Sequence, residues 1–216
     1  MKNGMFIAFE GPEGSGKSTV SRRLLDDLRR DGYDAMRTIE PGDTELGALI
    51  REILLKKDKV HLTTRAELLL FEADRAEHVE EVIKPSLHKK RIVICDRFNT
   101  ATYAYQGYGL GLDMAAIRDI DDFAVQGVVP DLVIVLDVDP KTGLERAGRK
   151  RAKDRMEKRS VDFHRRVRKG YLKMAEKDPR RFRVIDSGQD IERVYEQTKA
   201  AVYEHIGYNK RPGKGC

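Results

Sequence analysis

The chain has 216 residues, 40% hydrophobic and 36% charged, with a formal net charge of +6. That length suits one α/β domain, no apolar run is long enough to cross a bilayer, and the first residues lack a signal-peptide pattern. Two cysteines, Cys95 inside an apolar run and Cys216 at the end, exclude a disulfide framework and imply a reducing, cytoplasmic setting.

In chain order, apolar runs of strand length alternate with stretches of helical period. The pattern predicts strands at 5–10, 34–39, 91–95, 132–137 and 182–186. Helices are predicted at 17–31, 44–56, 63–88, 113–126, 140–148, 158–177 and 190–206, with Asp113 and Asp190 as caps. Such alternation implies βαβ units and a mainly parallel five-stranded sheet flanked by helices. Pro85 should end or kink the third helix, because it supplies no N–H. Phe163, Val167, Tyr171 and Met174 recur at helical spacing and read as a core stripe, with Arg165, Arg166 and Arg168 facing elsewhere. The domain is expected to occupy 1–206, followed by a flexible basic tail at 207–216.

Between the first strand and the first helix stands Gly11-Pro12-Glu13-Gly14-Ser15-Gly16-Lys17-Ser18, followed by Thr19. This is G-x-x-x-x-G-K-[ST] in its proper context. The glycines let backbone N–H groups converge on phosphate oxygens, and the helix N-terminus adds its positive end. Lys17 would reach the terminal phosphates and Ser18 would ligand magnesium. Asp96 and Arg97 close the third strand, at the same sheet edge. There Asp96 can hold magnesium through water and Arg97 can grip a phosphoryl group, although a buried structural ion pair would explain Asp96 as well.

Phe71 and Arg75 share one helix face, where an aromatic ring and a guanidinium could stack on a base and bond its edge; a core role for Phe71 is the simpler alternative. The segment 99–108 concentrates tyrosines, threonines and Gln106 just after Arg97, as a pocket wall would. From Glu145 to Lys169 there are twelve Lys/Arg against four acids, a local +8 that exceeds the charge of the whole chain. A compact cluster of this kind, which includes Arg146, Arg149, Arg151 and Arg155, suits a lid at about 146–157 that neutralises phosphates and excludes water, with Gly148 as a hinge.

These residues together resemble the bacterial-type thymidylate kinases. The resemblance runs from about Met5 to Tyr203 and is carried by FEGPEGSGKST, EPGDTELGALIREILL, ELLLFEADRAEHVEEVI, ICDRF, TYAYQGYGLGLD, PDLVIVLDVDP and DRMEKRSVDFHRRVRKGYL. It implies a three-layer P-loop kinase fold, usually a homodimer, that moves phosphate from ATP-Mg to dTMP. By matching positions, Glu13 would face the deoxyribose 3′-hydroxyl, and Arg51 and Arg97 the dTMP phosphate. Phe71 would stack on thymine, Arg75 would bond its O4, and Thr102 and Gln106 would meet the base edge. Tyr105 would crowd a ribose 2′-hydroxyl.

Some family members carry arginine within the loop where this chain has Gly14, which directs the search for a catalytic cation to the lid: Arg155 first, with Arg149 and Arg151 as competitors. Three positions depart from the family pattern. Ile39 removes a cation beside the phosphate and metal region, Asp43 adds a negative charge, and Phe98 replaces a polar residue. The alternatives are a kinase for another pyrimidine monophosphate (dUMP, UMP or CMP), or a P-loop switch or nucleic-acid binder that would use the basic cluster on a phosphodiester backbone. The position of that cluster, where the lid belongs, argues against the last.

Overall fold

The computed structural model describes residues 4–56, 60–149 and 154–207. Arg151 and all of the expected tail beyond Gly207 lie outside the described residues. In chain order the elements are β1 (Met5–Glu10), α1 (Lys17–Arg30), β2 (Ala35–Ile39), α2 (Glu45–Arg51), α3 (Thr64–His78), α4 (Lys84–His88), β3 (Ile92–Asp96), α5 (Asn99–Thr102), α6 (Met114–Val125), β4 (Leu132–Asp137), α7 (Pro140–Gly148), α8 (Val161–Lys177), β5 (Phe182–Asp186) and α9 (Ile191–Ile206).

The five strands form one parallel sheet in the order β2-β3-β1-β4-β5. The chain runs to one side of β1 for β2 and β3, then to the other for β4 and β5. β1 is therefore the switch point, and the crevice at its carboxyl end is where such sheets take ligands. Both faces of β1 are covered. Ile7 and Phe9 pack with Val20, Leu24 and Leu28 of α1 and with Val194 and Val202 of α9. Phe6 and Ala8 face Val79, Ile83, Phe98, Phe163, Val167 and Tyr171 on the opposite side. The predicted stripe of α8 is core, as its spacing implied, with Met174 half-buried at its end.

Helix boundaries differ from the periodic pattern where the backbone ladder is interrupted. α2 passes at Glu52 into a wide π-type turn, and a second such turn over Val79–Ile83 separates α3 from α4. Pro85 sits in the first turn of α4, so the N–H it lacks coincides with this break. The helix expected from 158 starts at Val161, because the hydroxyl of Ser160 accepts the N–H of Phe163 at 3.2 Å and caps it there. Asp113 and Asp190 cap α6 and α9. The pocket-wall segment is itself helical. α5 continues as a π-type turn over Tyr103–Gly109, against which α8 packs so closely that a Cβ at Gly109 would lie 2.6 Å from the Phe163 ring.

One contact fixes the P-loop against α7. Gly14 has φ +67°, and a Cβ there would lie 1.9 Å from the carbonyl oxygen of Gly143; a Cβ on Gly143 would in turn lie 2.2 Å from the carbonyl oxygen of Glu13. Two backbones meet with no room for a side chain on either. Gly143→Ala is expected to lower stability by about 1–3 kcal/mol, as overpacking does. Glu145→Ala, at an exposed position of the same helix, should stay within about 0.5 kcal/mol in denaturant melts.

Candidate active site

A cavity of about 830 Å³ opens at the carboxyl end of the sheet. One end is lined by the P-loop from Glu13 to Thr19, the other by Phe71, Arg75, Thr102, Tyr105 and Gln106, with Arg51, Asp96 and Arg97 between them. The volume is at the upper end of ordinary small-molecule sites, and its length joins two chemically different ends.

At the loop end, Lys17 is buried and folded back, its Nζ donating to the carbonyls of Gly11 (3.0 Å) and Pro12 (2.8 Å). Burial and the nearby charge of Arg97 lower its pKa to about 8, against the pull of Glu13, Asp96 and Glu10. Ser18 Oγ donates to Asp96 Oδ2 at 2.6 Å, so the two predicted metal oxygens do stand side by side. Hard oxygen donors of this kind fit magnesium. Arg37 Nη2 donates to the same Asp96 oxygen at 2.7 Å. Ile39 leaves no cation at its own position, but Arg37, two residues earlier on the same face of β2, brings one to the metal region. The expected loss of positive charge is thereby offset, although the register of β2 on β3 pairs Ile39, not Arg37, with Asp96. Asp43 is turned away to accept the hydroxyl of Thr38, which also bonds His78 Nε2 at 2.6 Å.

Arg97 occupies the middle. Its backbone is left-handed, φ +71°, unusual for a residue with a Cβ, and its N–H is tied to the carbonyl of Phe9 at 2.9 Å. Nη2 donates to Glu13 Oε1 at 2.8 Å, and Nη1 reaches the carbonyl of Gly11 (3.2 Å) and the hydroxyl of Tyr171 (3.3 Å). Tyr105 donates its hydroxyl to the same Glu13 oxygen at 2.8 Å. Burial alone would raise the pKa of Glu13, but Arg97, Lys17 and the Tyr105 hydroxyl together bring it down to about 2.

The far end is a buried polar lattice. Arg75 Nε donates to Glu40 at 3.0 Å; its Nη1 donates to Glu72 and to Thr102 Oγ1, the latter at 2.9 Å. Phe71 is half-buried and faces the cavity rather than the core. Arg51 lines the cavity and donates to the carbonyl of Pro41.

The thymidylate kinase family model matches residues 9–198. A thymidylate kinase from Desulfovibrio desulfuricans is 45% identical over 98% of this chain and 99% of its own length. One from Bacillus pumilus is 38% identical over 96% and 99%. The chain belongs to the thymidylate kinase family. Among solved structures, a thymidylate kinase from Ehrlichia chaffeensis superposes with a TM-score of 0.76 at 38% identity, covering 92% of this chain and 98% of that one.

Within this thymidylate kinase fold, the arginine-rich cluster divides. Arg168 holds Asp137 through two bonds of 2.7 Å, Arg166 bonds the carbonyl of Gly109, and Arg165 pairs with Asp162. These three belong to the scaffold. Arg146 and Arg149 line the cavity, with Arg146 Nη1 bonded to the carbonyl of Ser187 at 2.8 Å. Arg155, the first choice for the catalytic cation, is instead turned to the carbonyl of Val60 at 2.6 Å and does not line the cavity. Sequence spacing could not separate Arg149 from Arg155, because the difference lies in which side chain reaches the cavity wall.

Several site residues carried no sequence signal. Glu10 ends β1 beneath the loop, accepting the N–H of Phe98 (2.9 Å) and the hydroxyl of Tyr171 (3.0 Å). Glu40, Glu72 and Asp121 hold Arg75, and Glu67, itself held by Arg159, holds Gln106. Glu10 predicts a pH effect. Burial raises its pKa from 4.5 to about 7 in spite of those bonds and the nearby Arg97 and Lys17. The folded state therefore binds more protons than the unfolded state between those values. Its contribution is present below about pH 4.5 and is lost as pH rises through 7. Glu10→Gln should flatten that part of the stability profile, by on the order of 1–3 kcal/mol in urea melts from pH 5 to 8.

Proposed function

We propose that this chain transfers the terminal phosphoryl group of ATP to dTMP, giving dTDP, with magnesium as cofactor, in the cytoplasm. The reading is carried by one observation: a P-loop and an aromatic, arginine-flanked pocket are the two ends of one cavity, with Arg97 midway. The phosphates of ATP would lie on the N–H groups of residues 13–19, where Lys17 exchanges its carbonyl partners for phosphate oxygens. Ser18 and Asp96 would hold magnesium, which when bound neutralises phosphate charge. At the acceptor end, Phe71 supports the base, and Arg75, Thr102 and Gln106 address its polar edge. Glu13 and Tyr105 flank the sugar, while Arg51 and Arg97 grip the acceptor phosphate. Phosphoryl transfer asks mainly for positioning and for cations on the transferring oxygens. Arg149, at the end of α7 and on the cavity wall, is placed to provide the latter.

No described helix is long and apolar enough to cross a membrane. The exposed apolar side chains instead suit a second copy of the chain. α3 packs between α2 and α6, and these helices expose Leu46 and Leu49, Leu69, and Phe123, the last at 84%. A homodimer through this face would cover them. Phe123→Glu should convert the species seen in analytical ultracentrifugation from dimer to monomer.

An ADP-release assay with ATP-Mg against dTMP, dUMP, UMP, CMP, AMP and GMP tests the reaction, with dTMP expected to be preferred. Activity confined to another monophosphate would reject the thymidylate reading. Arg149→Ala should lower kcat by about 10²–10³ with near-normal dTMP affinity, since it acts where charge develops. Arg155→Ala should have the smaller effect.

A further inference from the structure

Gln106 and Glu67 form a pair behind the base end of the cavity. Gln106 is 2% exposed and lines the cavity; Glu67, on α3, is equally buried and does not line it. Gln106 Nε2 donates to Glu67 Oε1 at 3.0 Å, and Arg159 Nη2 donates to the other carboxylate oxygen at 2.6 Å. An amide alone can present either its carbonyl or its NH2 to a ligand. A carboxylate bonded to a guanidinium accepts only, so it admits the amide in one direction.

We infer that Glu67 is a positioning residue for base selection: it holds the NH2 of Gln106 and so turns the Gln106 carbonyl oxygen toward the cavity, with Arg159 fixing the carboxylate. This rests on the proposed contact of Gln106 with the base edge. A carbonyl presented there accepts the N3–H that thymine carries. It opposes the unprotonated N3 of cytosine, which offers a lone pair instead. The selection therefore acts on the ring edge and is indifferent to the 5-methyl group. Arg159 enters the argument through charge: Glu67 is taken from water, and a buried carboxylate stays ionised only when paired. Its guanidinium comes from the turn just before α8 and stands 5.0 Å from the Phe163 ring, which limits its freedom.

The test uses dTMP and 5-methyl-dCMP, which differ only at the N3–C4 edge. Their dissociation constants are measured by calorimetry on the wild type, Glu67→Gln and Gln106→Leu. Glu67→Gln lets the paired amides adopt either direction, and the affinity ratio of dTMP over 5-methyl-dCMP is expected to fall at least tenfold with ATP affinity unchanged. A ratio within twofold of wild type in Glu67→Gln, with a lowered ratio in Gln106→Leu, overturns the role of Glu67 and leaves Gln106 as the base reader. An unchanged ratio in both overturns the Gln106 contact and the inference with it. Should Glu67→Gln fail to fold, Arg159→Gln decides, since it alters only the charge partner at the more exposed end. A lowered ratio supports the inference and an unchanged one overturns it.

Discussion

The site depends on Arg97 being held in the left-handed backbone conformation at the end of β3. From there one guanidinium bonds Glu13, the carbonyl of Gly11 and the hydroxyl of Tyr171, which in turn bonds Glu10. The P-loop, β3 and α8 are thereby joined through a single charge. Glu13 and Arg97 are mostly buried, so removal of either leaves the other unpaired at a cost of about 3–5 kcal/mol. A bond network of this kind explains why the strained backbone of Arg97 persists: several partners determine it at once. The same network separates two carboxylates three chain positions apart. Glu13, beside Arg97 and Lys17, stays ionised, while Glu10, deeper and less well paired, is driven toward the neutral form.

Features written contiguously in the chain were legible. The loop from Gly11 to Ser18, the five strands, the caps at Asp113 and Asp190, and the interruption at Pro85 each depend on a few adjacent residues. The resemblance supplied roles for Phe71, Arg75, Thr102, Tyr105 and Gln106, and the fold brings all five to one cavity end. What escaped depends on distant packing. The helical turn through Tyr103–Gly109 contains two glycines and carries little intrinsic helical preference; it forms because α8 presses against it. Arg37 shows a different limit. A motif position read in isolation marked Ile39 as a lost cation. The period-two geometry of a strand allows a residue two places earlier to serve the same face.

Buried acceptors such as Glu67 and Glu40 were also invisible, for a chemical reason. A glutamate on a helix is ordinarily a solvated surface residue, and nothing in the local pattern of α3 distinguishes buried Glu67 from half-buried Glu77. The distinction arises once Gln106 and Arg159, 39 and 92 positions away, converge on it. Polar lattices that fix the direction of reading groups are thus the part of a binding site that sequence motifs encode least. They are assembled from residue types that motifs treat as interchangeable.

Gly14 gains its meaning from the same long-range geometry. Arginine at this position would need a Cβ where the carbonyl of Gly143 already stands, on a backbone whose φ of +67° disfavours any side chain. The loop therefore cannot carry its own cation unless α7 moves away. Yet α7 is also the helix whose carboxyl end brings Arg146 and Arg149 to the cavity wall. The close approach that excludes an arginine from the loop is the one that sets α7 against the phosphate end of the cavity. In this chain the loop has no room for a cation of its own, and the glycine pair leaves α7 to bring positive charge to the cavity.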